Sequence, residues 1–401
     1  MPSRIYLDHN ATTRPWPEVI ETVAYHLQHS YANPGSRHAE GRQARKVLES
    51  SRETIAAILG SQPEEVIFTS GGTEASNLAL FGAANSMTPG TIVLTAGEHP
   101  ATIEACKSLK PHGWQLMLLP VDREGRLLAE GVGSLFPSGP SSLGNADRLT
   151  GRSEKDSRPR SVRIVTVILA HNETGVIQDV RPLTTICREH GVFCHIDAVQ
   201  AVGKIEVNFA EIGATSLAFG AHKFHGPRGI GGLLLKKGTT LAPFEFGGHQ
   251  ESGRRPGTEM VALAAGMAKA LELWHRERHE RTARLKELRD RLEAGLFDRC
   301  PWAVVNGSRE HRLPNTLNIA FPGLDGEAIL VNLDLAGIAC SLGSTCASGS
   351  AEPAPALVAM GAPPEIYKAS VRFTVGLENT LEEMDDAAER IGRVIVRLRG
   401  K

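Results

Sequence analysis

Three side chains able to do chemistry stand close together in the middle of this chain. Asp197 ends a short apolar run at 193–196 and Gln200 follows three residues later. Lys223 closes Gly220-Ala221-His222-Lys223, at the end of a second apolar run at 215–219. A Pro-Gly-rich turn then leads into a third run at 230–235. Short apolar runs bounded by Gly and Pro read as buried strands of a mostly parallel sheet, and ligands bind where the loops at such strand ends converge. A carboxylate, a carboxamide and an amine at neighbouring strand ends are the equipment for pyridoxal phosphate. The amine forms a Schiff base with the aldehyde, and the carboxylate keeps the pyridine nitrogen protonated so that the ring accepts electrons. Taken singly, Asp197 reads equally as a loop cap and Lys223 as a solvated amine. The apolar strand before Lys223 and the Gly-Pro turn after it favour the cofactor reading.

Other strand ends carry polar groups as well. A strand at 65–68 runs into Thr69-Ser70-Gly71-Gly72-Thr73-Glu74, with a helix expected over 77–84. A strand, a glycine turn and a helix N-terminus can cradle a phosphate on free backbone N–H groups. No Gly-Lys-Ser/Thr follows, so this is not the Walker pattern, and an ordinary turn is the competing reading. His99, after a strand at 91–95, reads either as a ring lying flat on an aromatic cofactor or as a hydrogen-bonded loop histidine. A β-branched strand at 163–170 ends in His171-Asn172-Glu173-Thr174-Gly175, and Ala11-Thr12-Thr13 near the N-terminus offers small groups able to approach a ligand.

Cys346 differs from the other five cysteines. It lies in Ser341-Leu342-Gly343-Ser344-Thr345-Cys346-Ala347-Ser348-Gly349-Ser350, a run of small residues that cannot build a core. At an ordinary thiol pKa only about 3% is ionised at neutral pH, so a nucleophilic Cys346 needs a nearby base or positive charge, for which His99 is a candidate. A helix-capping Ser/Gly loop with an incidental cysteine is the alternative. A metal site is not expected, because Cys340 and Cys346 lack a second ligand pair. Cys187 and Cys194 sit in apolar helix and strand patterns as small hydrophobes.

These residues must be positioned by a chain of 401 residues, long enough for two domains. Hydrophobic content of 41% and charged content of 22% are those of a soluble globular protein, and a net charge of −1 gives no reason to expect nucleic acid or a membrane surface. No apolar run reaches the roughly 18 residues of a membrane span, and the N-terminus has no signal-peptide core, so a cytoplasmic location is expected. Scattered cysteines without a CxxC pair point to reduced thiols. Further strands are expected at 114–120, 316–321 and 371–374, and helices at 17–28, 41–59, 259–297, 327–335 and 381–397. The long helix at 259–297 is a natural connector between a large and a small domain. Residues 137–161, rich in Ser, Gly, Pro and Arg, read as a mobile surface insertion.

With these residues assembled, the chain resembles the cysteine desulfurases of the NifS/IscS type, class V members of the fold-type I pyridoxal phosphate enzymes. The resemblance runs nearly end to end through YLDHNATT, ANPGSRH, EEVIFTSGGTEASN, GEHPA, HNETGV, HIDAVQAVGK, AHKFHGPRG, GGHQESGRRPGTE, SLGSTCASGSAEP and SVRFTVG, in the family's order and at its approximate spacing. It implies an α/β fold: a large domain over 15–262 with a mostly parallel seven-stranded sheet, and a smaller α/β domain from 1–14 and 263–401 that carries the cysteine loop.

The resemblance also implies roles. Lys223 is the Schiff-base lysine, Asp197 pairs with the pyridinium nitrogen and His99 stacks on the ring. Gln200 and Asn172 bond the ring hydroxyl region, while Gly72, Thr73 and His222 hold the phosphate. Thr258 reaches the phosphate of a neighbouring subunit, which implies a homodimer. Asn33 and Arg372 hold the substrate carboxylate, and Cys346 takes sulfur from L-cysteine as a persulfide, leaving alanine. That sulfur would pass to an acceptor protein for iron–sulfur cluster or thio-cofactor synthesis, with Cys346 able to ligate a nascent cluster transiently. Two positions depart from the family. Gly220 stands where a serine or threonine usually bonds the phosphate, and His225 where an aromatic residue is common. The 137–161 insertion is also longer than usual. Selenocysteine lyase, another class V aminotransferase activity, or an inactive scaffold for iron–sulfur assembly are the alternatives.

Overall fold

The computed structural model of the protein describes residues 4–128, 131, 133, 135, 136, 161–342 and 354–400. Cys346 with its Ser-Gly loop, and the 137–161 insertion except Ser161, lie outside the described residues. The chain opens with β1 (Ile5–Tyr6), α1 (Pro17–His29) and α2 (Ala39–Leu59). Alternating elements follow: β2 (Val66–Thr69), α3 (Gly72–Ala84), β3 (Thr91–Thr95), α4 (Pro100–Ser108), β4 (Gln115–Leu119), β5 (Val162–Ile168), α5 (Arg181–Glu189), β6 (Phe193–Asp197), β7 (Ser216–Gly220) and β8 (Gly231–Leu235).

Seven of these strands form one sheet in the order β2-β8-β7-β6-β5-β3-β4. Only β8 runs against the others. Strands β2, β3, β6, β7 and β8 are buried along their whole length, which is why their sequences are continuous apolar runs and not alternating ones. Packing at one strand end depends on a missing side chain. A Cβ at Gly231 would lie 2.6 Å from Phe219 O and 2.7 Å from Gly71 Cα, so glycine there lets β8 press against β7 and the β2–α3 turn together.

The helix that follows, α6 (Val261–Arg299), serves two cores. Ala264, Met267 and Leu271 pack with the large sheet, whereas Leu288, Leu292 and Leu296 belong to a second apolar cluster. Its backbone leaves helical geometry at Glu277 (φ −117°, ψ 15°), between the two. The second cluster is built on β9 (Val304–Val305), β10 (Thr316–Ala320), α7 (Gly326–Leu335), β11 (Ile338–Ala339), β12 (Ser370–Thr374) and α8 (Leu381–Arg399). Strands β12, β10 and β9 form an antiparallel sheet. Helix α8 starts in a capping box between Thr380 and Glu383, and it buries Met384, Ala388, Ile391 and Ile395 at helical spacing against this sheet. Strand β1 joins the second core too, pairing with β11 through Ile5–Ile338 and Tyr6–Ala339. Among the described residues no helix is long and apolar enough to cross a membrane.

The main departure from expectation is α3. It begins at Gly72, five residues before the expected 77, so Gly72, Thr73 and Glu74 are already helix and Gly71 is its N-cap. Helix α4 had no counterpart in the sequence reading, whereas α5 carries Cys187, which the apolar pattern put on a helix.

Candidate active site

Strands β6 and β7 are parallel neighbours, with Asp197 opposite Ala218. The chain leaves β6 at Asp197, whose Oδ1 accepts from Val199 N at 3.0 Å. It leaves β7 at Gly220 and enters a single 3-10 turn, Ala221–Lys223. That places Lys223 and Asp197 at the same sheet edge, each within the other's electrostatic field. Burial pushes the Asp197 carboxyl up, and His99 and Lys223 pull it back down. Burial and then Arg372 lower the Lys223 ammonium to about 8, against the opposing pull of Asp197 and Asp8. An amine so adjusted is partly neutral under ordinary conditions, as an imine-forming or proton-accepting lysine must be.

His99 is the N-cap of α4, where its Nδ1 accepts from Ala101 N at 3.1 Å. It is a loop-capping histidine, and it also interacts with Asp197 and Lys223. The loop reading of His99 is the one these bonds show. Burial lowers its pKa, which Asp197 partly offsets.

At the head of α3 the first N–H groups have no partner within the helix. Gly72 packs so closely on the loop after β6 that a Cβ there would sit 2.4 Å from Val199 Cγ2. A Cβ at Gly220 would lie 3.4 Å from Gly72 N, so Gly220 borders the same cradle. Glu74, in the first turn, accepts from Ser70 N at 2.7 Å and pairs with Arg255 at 2.8 Å, so a guanidinium offsets its negative charge.

A segment that the sequence barely marked ties these pieces together. The arm after β1 lies over the lysine turn: Thr13 N and Thr13 Oγ1 donate to His222 O, both at 2.9 Å, and His222 Nδ1 lies 3.2 Å from Thr12 Oγ1. Lys223 Nζ donates to Asn10 O at 2.7 Å and to Ala11 O at 2.9 Å. Gln200 Nε2 reaches the same Asn10 O at 2.9 Å. Lys204 Nζ donates to Asn10 Oδ1 at 2.7 Å and Gln200 Oε1 at 2.5 Å. Asn10 Nδ2 donates in turn to Asn172 O at 3.2 Å and Thr316 Oγ1 at 3.0 Å.

Arg372, on β12, enters from the second core. Its Nη1 donates to Asn172 O at 3.0 Å and its Nη2 pairs with Asp8 Oδ1 at 2.7 Å. Its Nε is buried without a hydrogen-bond partner among the described residues.

Asp197, Lys223, His99, Gln200, Asn172, Arg372 and His222 are thus brought together, with Gly72 and Gly220 on the cradle beside them. Three expected site residues are not tied to the group by any described bond. Thr73 is exposed on α3, and Asn33 is exposed with its Oδ1 accepting from Gly35 N at 2.8 Å. Thr258 is exposed on a loop fastened elsewhere, through Arg52 to Glu251 and Arg45 to Glu259. Cys346 lies outside the described residues. Sequence reasoning missed Asn10, Lys204 and Asp8. A signal existed for Lys204, a lysine in the apolar, glycine-containing run 201–205.

A helix N-terminus for an anion, a buried carboxylate for a cationic ring nitrogen and a low-pKa amine for an aldehyde together fit a phosphorylated pyridine aldehyde. The partnerless Arg372 Nε leaves a buried donor for a carboxylate beside it. Among the described residues no cluster of three or more His, Cys, Asp or Glu is placed to hold a metal ion.

Comparison with known proteins agrees with this geometry. A family model described as aminotransferase class-V matches residues 5–136 and 148–386. The chain belongs to the class-V aminotransferase family. Within it, the chain falls with the cysteine desulfurases. It is 39% identical over 401 residues to cysteine desulfurase IscS of Dictyoglomus turgidum, spanning 100% of this chain and 96% of that protein. It is 36% identical over 397 residues to cysteine desulfurase NifS of Azotobacter vinelandii, spanning 98% and 93%. A solved structure described as a NifS-like protein superposes with a TM-score of 0.87 at 32% identity, over 98% of this chain and 100% of that one.

Proposed function

We infer that this protein is a cysteine desulfurase that uses pyridoxal phosphate to take sulfur from L-cysteine, release L-alanine and pass the sulfur on from Cys346. The observation that carries the reading is Lys223 facing Asp197 across adjacent strand ends, beside the N-terminus of α3, in a chain of this family. Lys223 would hold the cofactor aldehyde, Asp197 the ring nitrogen, His99 the ring face, and Gly72, Thr73 and His222 the phosphate, with Gln200 and Asn172 at the ring hydroxyl. When bound, the cofactor supplies an electron-accepting cationic ring next to the substrate α-carbon.

The chain's own residues do the rest. With a pKa of about 8, Lys223 keeps roughly a tenth of its amine neutral at pH 7, ready to take a proton from the substrate α-carbon. Asp197 holds a proton on the ring nitrogen. Arg372, positioned by Asp8 and the Asn172 carbonyl, offers Nε to the substrate carboxylate, with Asn33 contributing from its loop. Cys346 takes the substrate sulfur as a persulfide, and its Gly-Ser surroundings let it carry that sulfur to an acceptor protein for iron–sulfur cluster or thio-cofactor synthesis. Gly220 offers no hydroxyl to a phosphate, so backbone N–H groups and His222 carry more of that contact.

We read residues 15–262 as the cofactor-binding unit, and 1–14 with 263–401 as the unit that brings Arg372 and Cys346 to it. In this reading Thr258, exposed on its anchored loop, would serve the cofactor phosphate of a second copy in a cytoplasmic homodimer. The test is to mix the purified protein with L-cysteine and assay alanine alongside sulfide. With excess thiol present to reduce the persulfide and release its outer sulfur as sulfide, equal amounts of both are expected, and a keto acid in place of alanine would refute the desulfurase reading. Cys346→Ser should abolish both products while leaving the bound-cofactor absorbance intact, and retained turnover would remove Cys346 as nucleophile.

A further inference from the structure

Burying an ammonium without a carboxylate beside it is costly, so lysines in protein interiors are normally paired. Lys204 is not. It is 4% exposed, it has no ion-pair partner among the described residues, and its Nζ bonds only to two amide oxygens, Asn10 Oδ1 and Gln200 Oε1. The charges facing it are cationic: Lys223 and Arg372, with the imidazoles of His9, His222 and His225 nearby. Burial, then Lys223 and Arg372, hold its pKa well below the ordinary lysine range. Both of its described hydrogen bonds are donated to those two amide oxygens.

What those donors touch is informative. A carboxamide has an oxygen end that accepts and a nitrogen end that donates, and whichever end is fixed decides where the other points. Lys204 takes the oxygen of Gln200, which turns Gln200 Nε2 onto Asn10 O, the carbonyl that receives Lys223 Nζ. Lys204 and Asn315 Nδ2 together take Asn10 Oδ1, which turns Asn10 Nδ2 onto Asn172 O and Thr316 Oγ1. We propose that Lys204 is a positioning residue for Lys223: by fixing the oxygen ends of Gln200 and Asn10, it holds the pair of carbonyls, Asn10 O and Ala11 O, that receive the Lys223 amine. It touches neither substrate nor cofactor. The proposal rests on Lys223 as the reactive amine of the proposed function, and its test reads the basicity of that amine directly, so it fails or succeeds apart from the desulfurase activity.

The test uses the full chain freed of cofactor. Lys223 is labelled with a trace of acetic anhydride from neutral to alkaline pH, and the modified peptide is quantified by mass spectrometry against exposed Lys46 as internal reference. The groups facing Lys223 are Asp197, Asp8, Arg372, His99, His222 and Lys204, and all but Lys204 are kept. Two carbonyls accepting from an ammonium favour its charged form. Releasing them in Lys204→Met lowers the Lys223 pKa by about one unit, and labelling at pH 7 rises about fivefold as the neutral fraction grows from roughly a tenth to a half. An unchanged rate overturns the proposal. So does a slower rate, which would mean that Lys204 acts as a repelling charge. If the methionine variant does not fold by circular dichroism, Lys204→Gln, which keeps a donor, is expected to shift labelling the same way by less. Combined with Gln200→Leu, the effect of Lys204→Met should overlap and not add; full additivity would also overturn the route through Gln200.

Discussion

A single methyl group at residue 72 tests the phosphate cradle. Gly72 is the first residue of α3, and its φ lies outside the left-handed region, so its backbone accepts alanine without strain. What it lacks is room. The new Cβ would lie 2.4 Å from Val199 Cγ2, and the next atoms, Val199 Cβ and Cγ1, are at 3.6 Å. Carbon atoms rest at roughly 3.5–4 Å, so the overlap is over an ångström and comes from one methyl. Overpacking of this kind costs about 1–3 kcal/mol. Relief requires either the helix start or the Val199 loop to shift, and Val199 follows Asp197 by two residues. Titrating the cofactor-free protein with pyridoxal phosphate, followed by absorbance, should show affinity falling about tenfold or more in Gly72→Ala. Val199→Ala removes the offending methyl and leaves an ordinary 3.6 Å contact. The double variant should therefore regain most of the lost affinity, the two changes coupling strongly. Wild-type affinity in Gly72→Ala, or no recovery in the double variant, would refute the placement of the cradle.

Three further outcomes follow from other contacts. Gly203 has φ +76°, and a Cβ there would lie 2.1 Å from Phe224 Cβ, next to Lys223; Gly203→Ala should cost about 3 kcal/mol in urea unfolding, and an unchanged midpoint would contradict the packing. Glu98 is buried, with Oε1 accepting from Ile168 N at 2.8 Å and from Thr95 Oγ1, and burial followed by the Asp197 charge raises it to about 8. Because its folded pKa exceeds the unfolded 4.5, its contribution is full below pH 4.5 and is lost as pH rises to 8, at up to about 1.4 kcal/mol per pH unit. Glu98→Gln should remove that slope from the stability profile of the cofactor-free protein, and a persisting slope would show the carboxyl to be ionised. Arg52 holds Glu251 with two bonds of 2.8 Å at a site where both side chains are largely buried. Arg52→Met strands that carboxylate and should cost about 3–5 kcal/mol, and cofactor retention should fall with it if the Thr258 loop serves a partner subunit.

Much of the site was legible because each chemical residue stands at the end of a recognisable run. Asp197 and Lys223 close buried strands whose apolar stretches are bounded by Gly and Pro, and all seven strands of the large sheet lie within a few residues of where the pattern puts them. The Gly-Gly-Thr-Glu segment misled, because glycines at a helix start resemble a turn until the tertiary contact with Val199 is known. Asn10 was not legible at all. Its partners lie up to 364 residues away, at Thr374, and nothing local distinguishes a hub asparagine from a loop one. The same holds for Asp8 with Arg372, an ion pair between opposite ends of the chain.

That the first strand pairs with residues 338–339, and Asp8 with Arg372, has a consequence for biosynthesis. On the ribosome, the arm that seats Lys223 emerges first but cannot dock until nearly the entire polypeptide has been made. Until then β1 lacks its pairing strand and Asp8 its guanidinium, so the arm over Lys223 reaches its final seat only after most of the chain has been made. A bulky fusion at the amino terminus would burden that last docking step more than a carboxy-terminal one.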